Sequence, residues 1–545
     1  MRSTMMDVPL TVTSIMRYGT TTFARKEVVT NTGDGVRRRT YGETARRCAR
    51  LAHALRRLGV DGDQRVATFM WNNAEHLEAY LAIPSMGAVL HTLNIRLAPA
   101  QVGYIATHAE DHVIIVDASL VPLLAQVLPH AGTVRHVLVT GPAGALPPEA
   151  EALAGPNRTV HSYEEALAAE PDSFGWPALD ELSAASMCYT SGTTGNPKGV
   201  VYSHRSLYLH ALGPSFGNAF ALAEPDRVLP VVPMFHVNSW GFPFAAMLSG
   251  STLVMPDRHM QSAPMTGLIE AERPTVAAGV PTIWQGVLEH VRASGGDLSS
   301  LRLVVAGGSA VPHSLMSAYD DLGVKLVQAW GMTETSPLGS VAEPPGGVTG
   351  TAAWPYRDSA GRFFCTVEAR LTGDTGAVLP QDGEAVGEVE VRGPWVTGAY
   401  YRDDDPHKFH DGWLRTGDVG TIDPEGYLRI SDRSKDVIKS GGEWISSVEL
   451  ENALMAHPDV LEAAVIGVPD ERWGERPFAC VVIRDGADVP AEHLRDHLAA
   501  SVPRWQLPER WAYIEEVPKT SVGKFSKRLM REAYAQGEYK VVQLG

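Results

Sequence analysis

The sequence predicts an α/β protein, with a large N-terminal domain of helix-covered sheets and a small α+β C-terminal domain. Apolar runs typical of buried strands alternate with helical patterns such as Tyr41–Leu58 and Ala100–His108. This alternation favours a mostly parallel sheet covered by helices. After about residue 350, half-exposed strands and turns take over, as in the alternating Gly387–Gly393. The apolar runs are Val66–Phe69, His112–Val116, Val137–Val139, Leu301–Val305 and Lys325–Val327.

A polar stretch rich in glycine separates the two predicted domains. It reads SDRSKDVIKSGGEW over Ser431–Trp444, which is typical of a linker or hinge. We therefore predict an N-terminal domain of residues 1–433 and a C-terminal domain of residues 434–545. In the second domain, Ser447–Ala456 has the pattern of a short helix with acidic early turns. The segments EAAVIGVPD and PFACVVIRD that follow have the pattern of strands.

Composition and charge exclude several classes of protein. The 545 residues are 44% hydrophobic and carry a formal net charge of −16, which disfavours binding to nucleic acid. The four cysteines, Cys48, Cys188, Cys365 and Cys480, are scattered and predict neither a disulfide framework nor a zinc site but a reduced, cytoplasmic setting. The N-terminus lacks the apolar core of a signal peptide, and the interrupted apolar stretch Phe242–Val254 is too short for an integral membrane segment.

The most specific motif is YTSGTTGNPKG at Tyr189–Gly199. Glycines allow close approach of the backbone to a ligand, while hydroxyls and a lysine suit an anionic phosphate chain. Pro197 excludes a Walker A motif because that motif has glycine before its lysine. An ordinary surface loop is the alternative, and the ordered string favours phosphate binding. The candidate residues are Thr190, Ser191, Gly192, Thr193, Thr194, Gly195 and Lys198.

Two further motifs suit a nucleotide. In AWGMTETSP, at Ala329–Pro337, the aromatic Trp330 offers a stacking face and Glu334 a carboxylate for a hard cation such as Mg²⁺. The alternative is a helix start capped by Thr333. In GWLRTGDVG, Asp418 is a natural acceptor for vicinal ribose hydroxyls, with a simple turn residue as the alternative.

These motifs, in this order, resemble those of the adenylate-forming superfamily, and the resemblance extends over nearly the whole chain. It implies an ATP-dependent acid:CoA ligase that uses ATP, Mg²⁺ and coenzyme A on a small-molecule carboxylic acid, with a C-terminal domain that swings between two half-reactions. The segments DVIKSGGEWISSVELENALMAHPDV and DVPLTVTSIMRYG are similar to the medium- and long-chain fatty acyl-CoA synthetase branch. Some members of this branch dimerise through the N-terminal segment, which admits a homodimer here.

The resemblance also implies roles for individual residues. Lys524 is the catalytic lysine of adenylate formation, and His236 lies near the acyl carboxylate; without the resemblance, these two are a solvated lysine and a buried histidine. Thr190 and Glu334 serve catalysis and Mg²⁺, and Trp240 gates the acyl site. The nucleotide and CoA positions are Gly307, Gly308 (also beside the acid), Ser309, Gln328, Ala329, Trp330, Gly331, Met332, Thr333, Asp418, Arg433, Lys435 at the hinge, and Lys439, Gly441, Gly442 and Trp444 along the pantetheine path.

The substrate stays open at this point. A medium- or long-chain fatty acid is favoured, but Ser359–Leu371 departs from the usual segment of the branch, and a short thioether or aromatic acid is the alternative. The acceptor of the acyl group is CoA, a carrier protein or another nucleophile. A regulator that binds nucleotide without catalysis and a luciferase-like oxidase are the remaining alternatives.

Overall fold

The computed structural model describes residues 1, 3–141, 146–190, 196–373, 375–433, 435–440, 443–520 and 524–544, without the side chain of Trp444. Within these residues the chain forms three sheets, here called A, B and C. Sheet A has seven strands, six of them parallel. In spatial order they are Thr159–Ser162, His136–Thr140, Asp111–Asp117, Arg65–Phe69, Val89–Thr92, Ala184–Tyr189 and the antiparallel Gly199–Ser203.

Sheet B is the largest, with fifteen strands among the described residues. One half is parallel and helix-covered, as the sequence predicts, and the half built from residues after about 338 is antiparallel. In spatial order the strands are Val378–Leu379, Glu368–Thr372, Gly387–Arg392, Trp413–Ile422 (also paired with Phe409–His410), Tyr427–Arg433, Gly361–Phe363, Leu338–Val341, Lys325–Gly331, Leu303–Gly307, Val276–Gly279, Arg227–Pro230, Thr252–Met255, Glu27–Asn31 and Val36–Thr40.

Sheet C belongs to the C-terminal part and has six strands in the described ranges. Apolar side chains cover both of its faces, in two core clusters separate from those of sheets A and B. This separation gives the C-terminal part a core of its own. In spatial order the strands are Glu443–Ile445, Ile438–Ser440, Gly474–Ile483 (also paired with Val460–Asp470), Arg510–Tyr513 and Val542–Gln543.

The helices begin and end where local chemistry allows. Thr40 and Glu43 form a capping box that starts the helix Tyr41–Arg57. Its buried positions, including Cys48, Leu51 and Leu55, recur at helical spacing and face the core. The α-helices are Val12–Thr22, Tyr41–Arg57, Ala74–Ser85, Pro99–His108, Val121–Val127, Tyr163–Ala168, His204–Leu212, Phe242–Ser249, Ser262–Glu272, Pro281–Ser294, His313–Asp321, Trp354–Arg357, Ser447–Met455, Ala491–Ala499 and Lys527–Ala535.

The predicted fold class, α/β with a large N-terminal and a smaller C-terminal part, is confirmed. Four of the five predicted strands overlap their observed strands fully, and the fifth begins two residues late, at Leu303, because Leu301 closes a turn with Leu298. None of the helices in the described ranges has both the length and the apolar character needed to cross a membrane. The four cysteines carry free thiols.

Among the described residues, the C-terminal part contacts the large part beside the connecting chain, at Glu289 and at Gly308. Near the connection, the backbone N–H of Ser447 donates to Asp432 at 2.7 Å. Farther away, Arg484 pairs with Glu289 of the helix Pro281–Ser294 at 3.0 Å. These contacts hold sheet C over the carboxyl ends of the parallel strands of sheet B, where Lys524 meets Gly308.

Candidate active site

Lys524 reaches from the C-terminal part into the large part. A Cβ atom on Gly308 would lie 3.0 Å from Cε of Lys524, and Gly308 has a φ of +89°. The lysine chain therefore passes over Gly308 where only a glycine leaves room. Burial and, to a smaller extent, the charge of Arg433 lower the pKa of Lys524 to about 8, while Asp418 and Glu334 oppose the shift. One cation thus stands among four of the predicted site residues.

His236 faces this lysine as a neutral imidazole. Burial lowers its pKa to about 3, and the nearby charges of Lys524 and Arg96 act in the same direction. The residues after it, from Val237 to Trp240, all have left-handed backbone, with φ between 45° and 54°. A left-handed turn of non-glycine residues costs roughly 1–2 kcal/mol per residue, and such strain concentrates at functional sites.

This left-handed turn brings Trp240 to the end of a sheet B strand. The ring atom Cη2 of Trp240 would lie 3.3 Å from a Cβ on Gly307. Trp240 is partly exposed, while the turn residues Asn238 and Ser239 are buried. Trp240 and Lys524 therefore approach neighbouring residues, Gly307 and Gly308, at the end of the same strand, as expected for residues that border one substrate.

Asp418 is buried and held from two sides. The indole Nε1 of Trp330 donates to Oδ2 of Asp418 at 2.8 Å, and Nε of Arg433 lies 3.1 Å from Oδ1. Asp418 and Arg433 are directly opposite each other on neighbouring antiparallel strands. The carboxylate therefore has a fixed orientation before any ligand arrives.

Glu334 is also buried, and one oxygen of its carboxylate accepts a hydrogen bond from another described residue. The Tyr400 hydroxyl donates to Oε1 of Glu334 at 2.6 Å. The Glu334 carbonyl accepts from the backbone N–H of Thr397 at 2.8 Å, which anchors the short turn that carries the carboxylate. The remaining oxygen is the one that can serve a cation or a donor from a ligand.

The phosphate-loop prediction falls partly on residues 191–195, which lie outside the described residues. The two residues that flank the predicted loop are paired: the backbone N–H of Thr190 donates to the Lys198 carbonyl at 2.9 Å. The Lys198 ammonium donates to Asp405 at 2.7 Å and lies 4.9 Å from the centre of the Tyr400 ring. The Asp405 hydrogen bond raises the pKa of Lys198, so this lysine is a cation throughout the physiological range.

Comparison with known proteins places this geometry in a family. The sequence profile described as "AMP-binding enzyme" matches residues 18–401, and that of the "AMP-binding enzyme C-terminal domain" matches residues 449–524. The chain belongs to the AMP-binding enzyme family. The predicted relationship to the adenylate-forming superfamily is thereby confirmed.

Relatives of this AMP-binding enzyme are acyl-CoA ligases along their full length. A long-chain-fatty-acid–CoA ligase of Thermus thermophilus is 45% identical, with 98% of this chain and 97% of the relative covered. A 3-methylmercaptopropionyl-CoA ligase of Ruegeria pomeroyi is 43% identical, with 97% and 98% covered. A crystal structure of an anthranilate CoA ligase in complex with anthranoyl-AMP has a TM-score of 0.87 at 26% identity and covers 98% of this chain and 99% of its own. The prediction of an AMP-forming acid:CoA ligase, which uses ATP and CoA, is confirmed as a reaction class.

Other predicted positions of the AMP-binding enzyme have structural partners at the same strand ends. The Gln328 amide accepts from Val311 N–H at 2.8 Å and donates to the Ser359 carbonyl at 3.0 Å, which fixes the turn around Ser309. The Thr333 carbonyl accepts from the Tyr202 hydroxyl at 2.8 Å. Among the remaining positions, Ala329 is buried, Gly331 and Met332 are half-buried, and Ser309 is exposed.

Among the described residues, the positions predicted for the hinge and the pantetheine path lie at the surface, apart from the half-buried Lys524. Lys435 and Lys439 are exposed, the latter on the strand Ile438–Ser440 of sheet C. Gly441, Gly442 and the side chain of Trp444 lie outside the described residues. A path that forms only after a domain rotation is consistent with this separation.

Sequence reasoning missed the segment Tyr400–Lys408, which reads YYRDDDPHK. It supplies Tyr400 to Glu334 and Asp405 to Lys198, and it sends Lys408 toward the same carboxylates. The Lys408 ammonium donates to the Thr416 carbonyl at 3.2 Å. Burial lowers the pKa of Lys408, while Glu334 and Asp418 favour its charged form. Only the lysine after an acidic run marks this segment in the sequence, and that pattern usually indicates a solvated loop.

Proposed function

We propose that this acid:CoA ligase activates a medium- or long-chain fatty acid at the point where Lys524 passes over Gly308. The observation that carries the proposal is the convergence, around the Lys524 ammonium, of Asp418, Glu334 and His236. A cation held among carboxylates and a neutral imidazole, beside a phosphate-binding loop, suits the attack of one anion on another.

In the first half-reaction, ATP lies with its ribose at Asp418 and its phosphates along Tyr189–Gly199. A carboxylate oxygen of the acid attacks the α-phosphorus, the bond to the β-phosphate oxygen breaks, and pyrophosphate leaves. Lys524 offsets the negative charge that gathers on the α-phosphate and the entering carboxylate. Positioning and electrostatics carry such a phosphoryl transfer, because the protein supplies no covalent step.

The site also fits Mg²⁺, which we propose is held by Glu334 and by Thr190. Mg²⁺ is usually bound by one or two protein carboxylates together with substrate phosphates. Glu334 offers one such buried carboxylate with an oxygen left over from Tyr400. Among the described residues, no group of three or more His, Cys, Asp or Glu side chains could hold a metal ion, which suits an ion that arrives with its nucleotide. When bound, Mg²⁺ neutralises phosphate charge.

In the second half-reaction, the thiol sulfur of CoA attacks the acyl carbonyl, the carbon–oxygen bond to the phosphate breaks, and AMP leaves as the thiol loses its proton. We propose that residues 434–545 rotate about Lys435, withdraw Lys524 and admit CoA past Lys439, Gly441, Gly442 and Trp444. The connection at Arg433 and Lys435 supports this, because sheet B ends at Arg433 and sheet C starts at Ile438.

A short thioether acid is the second candidate substrate. It is favoured by the 3-methylmercaptopropionyl-CoA ligase, which at 43% identity is nearly as similar as the long-chain ligase at 45%. Since these two relatives are named for such different acids at almost equal identity, overall identity does not decide between the two candidate substrates. Direct comparison of the acids settles it.

We also propose a cytoplasmic homodimer. Free thiols on all four cysteines suit a reducing compartment. The N-terminal segment exposes Met5, Met6 and Val8, and exposed apolar side chains at one end of a chain suit burial against a second copy. Removal of residues 1–10 should convert a dimer to a monomer in light scattering; a full-length monomer would contradict the proposal.

The decisive test of the proposed function is a substrate panel. Purified protein with ATP and Mg²⁺ receives fatty acids of 4 to about 18 carbons, 3-methylthiopropionate and benzoate, with and without CoA. We expect release of pyrophosphate and formation of acyl-CoA, with the highest kcat/KM on medium or long chains. A maximum on the thioether acid would replace the fatty-acid assignment. Pyrophosphate release without a CoA thioester would contradict the acceptor.

A further inference from the structure

Trp330 makes a contact that adenine stacking does not require. Its indole N–H donates to Oδ2 of Asp418 at 2.8 Å, and both residues are buried. An indole N–H is a donor only, so it cannot exchange roles when a ligand binds. A hydrogen bond to a charged acceptor is stronger than one between neutral groups.

The other oxygen of Asp418 has its own partner, Arg433, at 3.1 Å. Each oxygen of the carboxylate is thus held by one donor, and each keeps a lone pair for a ligand. Arg433 is half exposed, whereas Trp330 is buried. The indole is therefore the less mobile of the two clamps, and it sets the rotation of the carboxylate plane.

The indole is itself held in place by two neighbours. A Cβ atom on Gly339 would lie 2.4 Å from Cζ3 of Trp330, so the ring occupies space that only a glycine leaves free. The Phe363 ring meets the indole edge-on, with centroids 5.8 Å apart and an interplanar angle of 82°. Phe363 lies in the departing segment Ser359–Leu371, which gives that segment a role behind the nucleotide site.

We infer that Trp330 is a positioning residue that orients the Asp418 carboxylate toward the ribose hydroxyls, so that the enzyme discriminates ATP from deoxyribonucleotides through the indole N–H. Phe363 supports the indole from behind. The inference rests on the proposed function, in which Asp418 receives the ribose.

The test is a comparison of ATP with 2′-deoxy-ATP and 3′-deoxy-ATP in acid-dependent pyrophosphate release. Wild-type enzyme should prefer ATP over at least one analogue. Trp330→Phe keeps an aromatic ring but removes the donor. We expect it to raise the KM for ATP about tenfold and to reduce the preference for ATP by about the same factor, with the KM for the acid unchanged.

Trp395→Phe is the matched control. Trp395 is also buried in the same core, and its indole donates to the Leu338 carbonyl at 3.0 Å. This variant also loses an indole hydrogen bond, here to a neutral carbonyl away from Asp418, so its preference for ATP should match that of wild type. If Trp330→Phe folds poorly, Phe363→Leu replaces it as the test variant. It should reduce the preference for ATP over the deoxy analogues by a smaller factor.

Three outcomes overturn the inference, and one separates it from the proposed function. Equal loss on ATP and on both analogues in Trp330→Phe would make the tryptophan merely structural. An unchanged KM for ATP would do the same. If wild type showed no preference for ATP, Asp418 would not bind the ribose hydroxyls, but the proposed ligase activity would still stand. No pyrophosphate from wild type with any acid would instead overturn the proposed function itself.

Discussion

The lysine at the centre of the site should make adenylate formation sensitive to alkaline pH. Burial, with the positive charge of Arg433, lowers the pKa of Lys524 from 10.5 to about 8. Only the protonated lysine offsets negative charge on the α-phosphate, so the active form exists below the pKa and is lost above it. With a pKa of about 8, the charged fraction is about 0.9 at pH 7, 0.5 at pH 8 and 0.1 at pH 9.

The kcat/KM for ATP, which reports groups of the free enzyme, should therefore fall about tenfold between pH 7 and pH 9. Saturating ATP favours the charged lysine, so the fall in kcat should move to higher pH. The assay is release of pyrophosphate with ATP and the acid both well below their KM, so that the free enzyme determines the profile. Transfer from preformed acyl-adenylate to CoA should not fall over this range, because the rotation proposed above withdraws Lys524 in that step and the CoA thiol ionises more.

Lys524→Arg is the control for this prediction. The guanidinium stays charged over the whole range, so this variant should be slower but should show no decline between pH 7 and pH 9. A flat wild-type profile would refute the assigned pKa. A decline of equal size in Lys524→Arg would assign the titration to another group.

Three other changes test different parts of the structure. Lys408→Met should raise the KM for ATP about tenfold by removing a cation beside Glu334 and Asp418, whereas Lys408→Arg should leave it unchanged. A loss of stability with an unchanged KM would show that Lys408 acts only through its hydrogen bond to Thr416. Arg484→Ala breaks the ion pair with Glu289, which is partly exposed and contributes about 1 kcal/mol or less. The variant should slow adenylation up to about fivefold and leave the rate of transfer to CoA unchanged. The double variant Glu289→Arg with Arg484→Glu, which exchanges the two charges, should restore the rate of adenylation. At Gly361, φ is +99° and a Cβ would lie 2.1 Å from the Val341 carbonyl carbon. Gly361→Ala should therefore lower the free energy of unfolding by about 2 kcal/mol or more. The control Gly376→Ala, with φ +79° but open space around the Cβ, should lower it less, as thermal unfolding would show.

The spacing of apolar residues in the sequence was sufficient to predict much of the fold. Continuous apolar runs such as His112–Val116 are buried on both faces of sheet A, and a parallel strand requires that. The joining of the parallel strands of sheet B to an antiparallel half was not predictable in the same way. That connection depends on pairing between segments far apart, such as Gly361–Phe363 with Tyr427–Arg433, and local patterns carry no information on distant partners.

The site shows the same division. Sequence motifs identified Asp418, Glu334 and Lys524 as site residues because each lies in a distinctive local sequence. They did not indicate that Trp330 would bond to Asp418, or that Tyr400, Asp405 and Lys408 would enter the site. The contacts of Trp330, Tyr400 and Asp405 join residues that are 66 to 207 positions apart in the chain, so local patterns do not predict them.

The central claim is that one chain forms an acyl-adenylate and then transfers the acyl group to CoA, with Lys524 serving only the first step. The most direct measurement compares wild type with Lys524→Ala in both half-reactions: pyrophosphate release from ATP and acid, and CoA thioester formation from preformed acyl-adenylate. We predict that the first rate falls at least about a hundredfold, while the second stays within about threefold of wild type. Equal loss in both, in a variant that melts like wild type, would contradict the account.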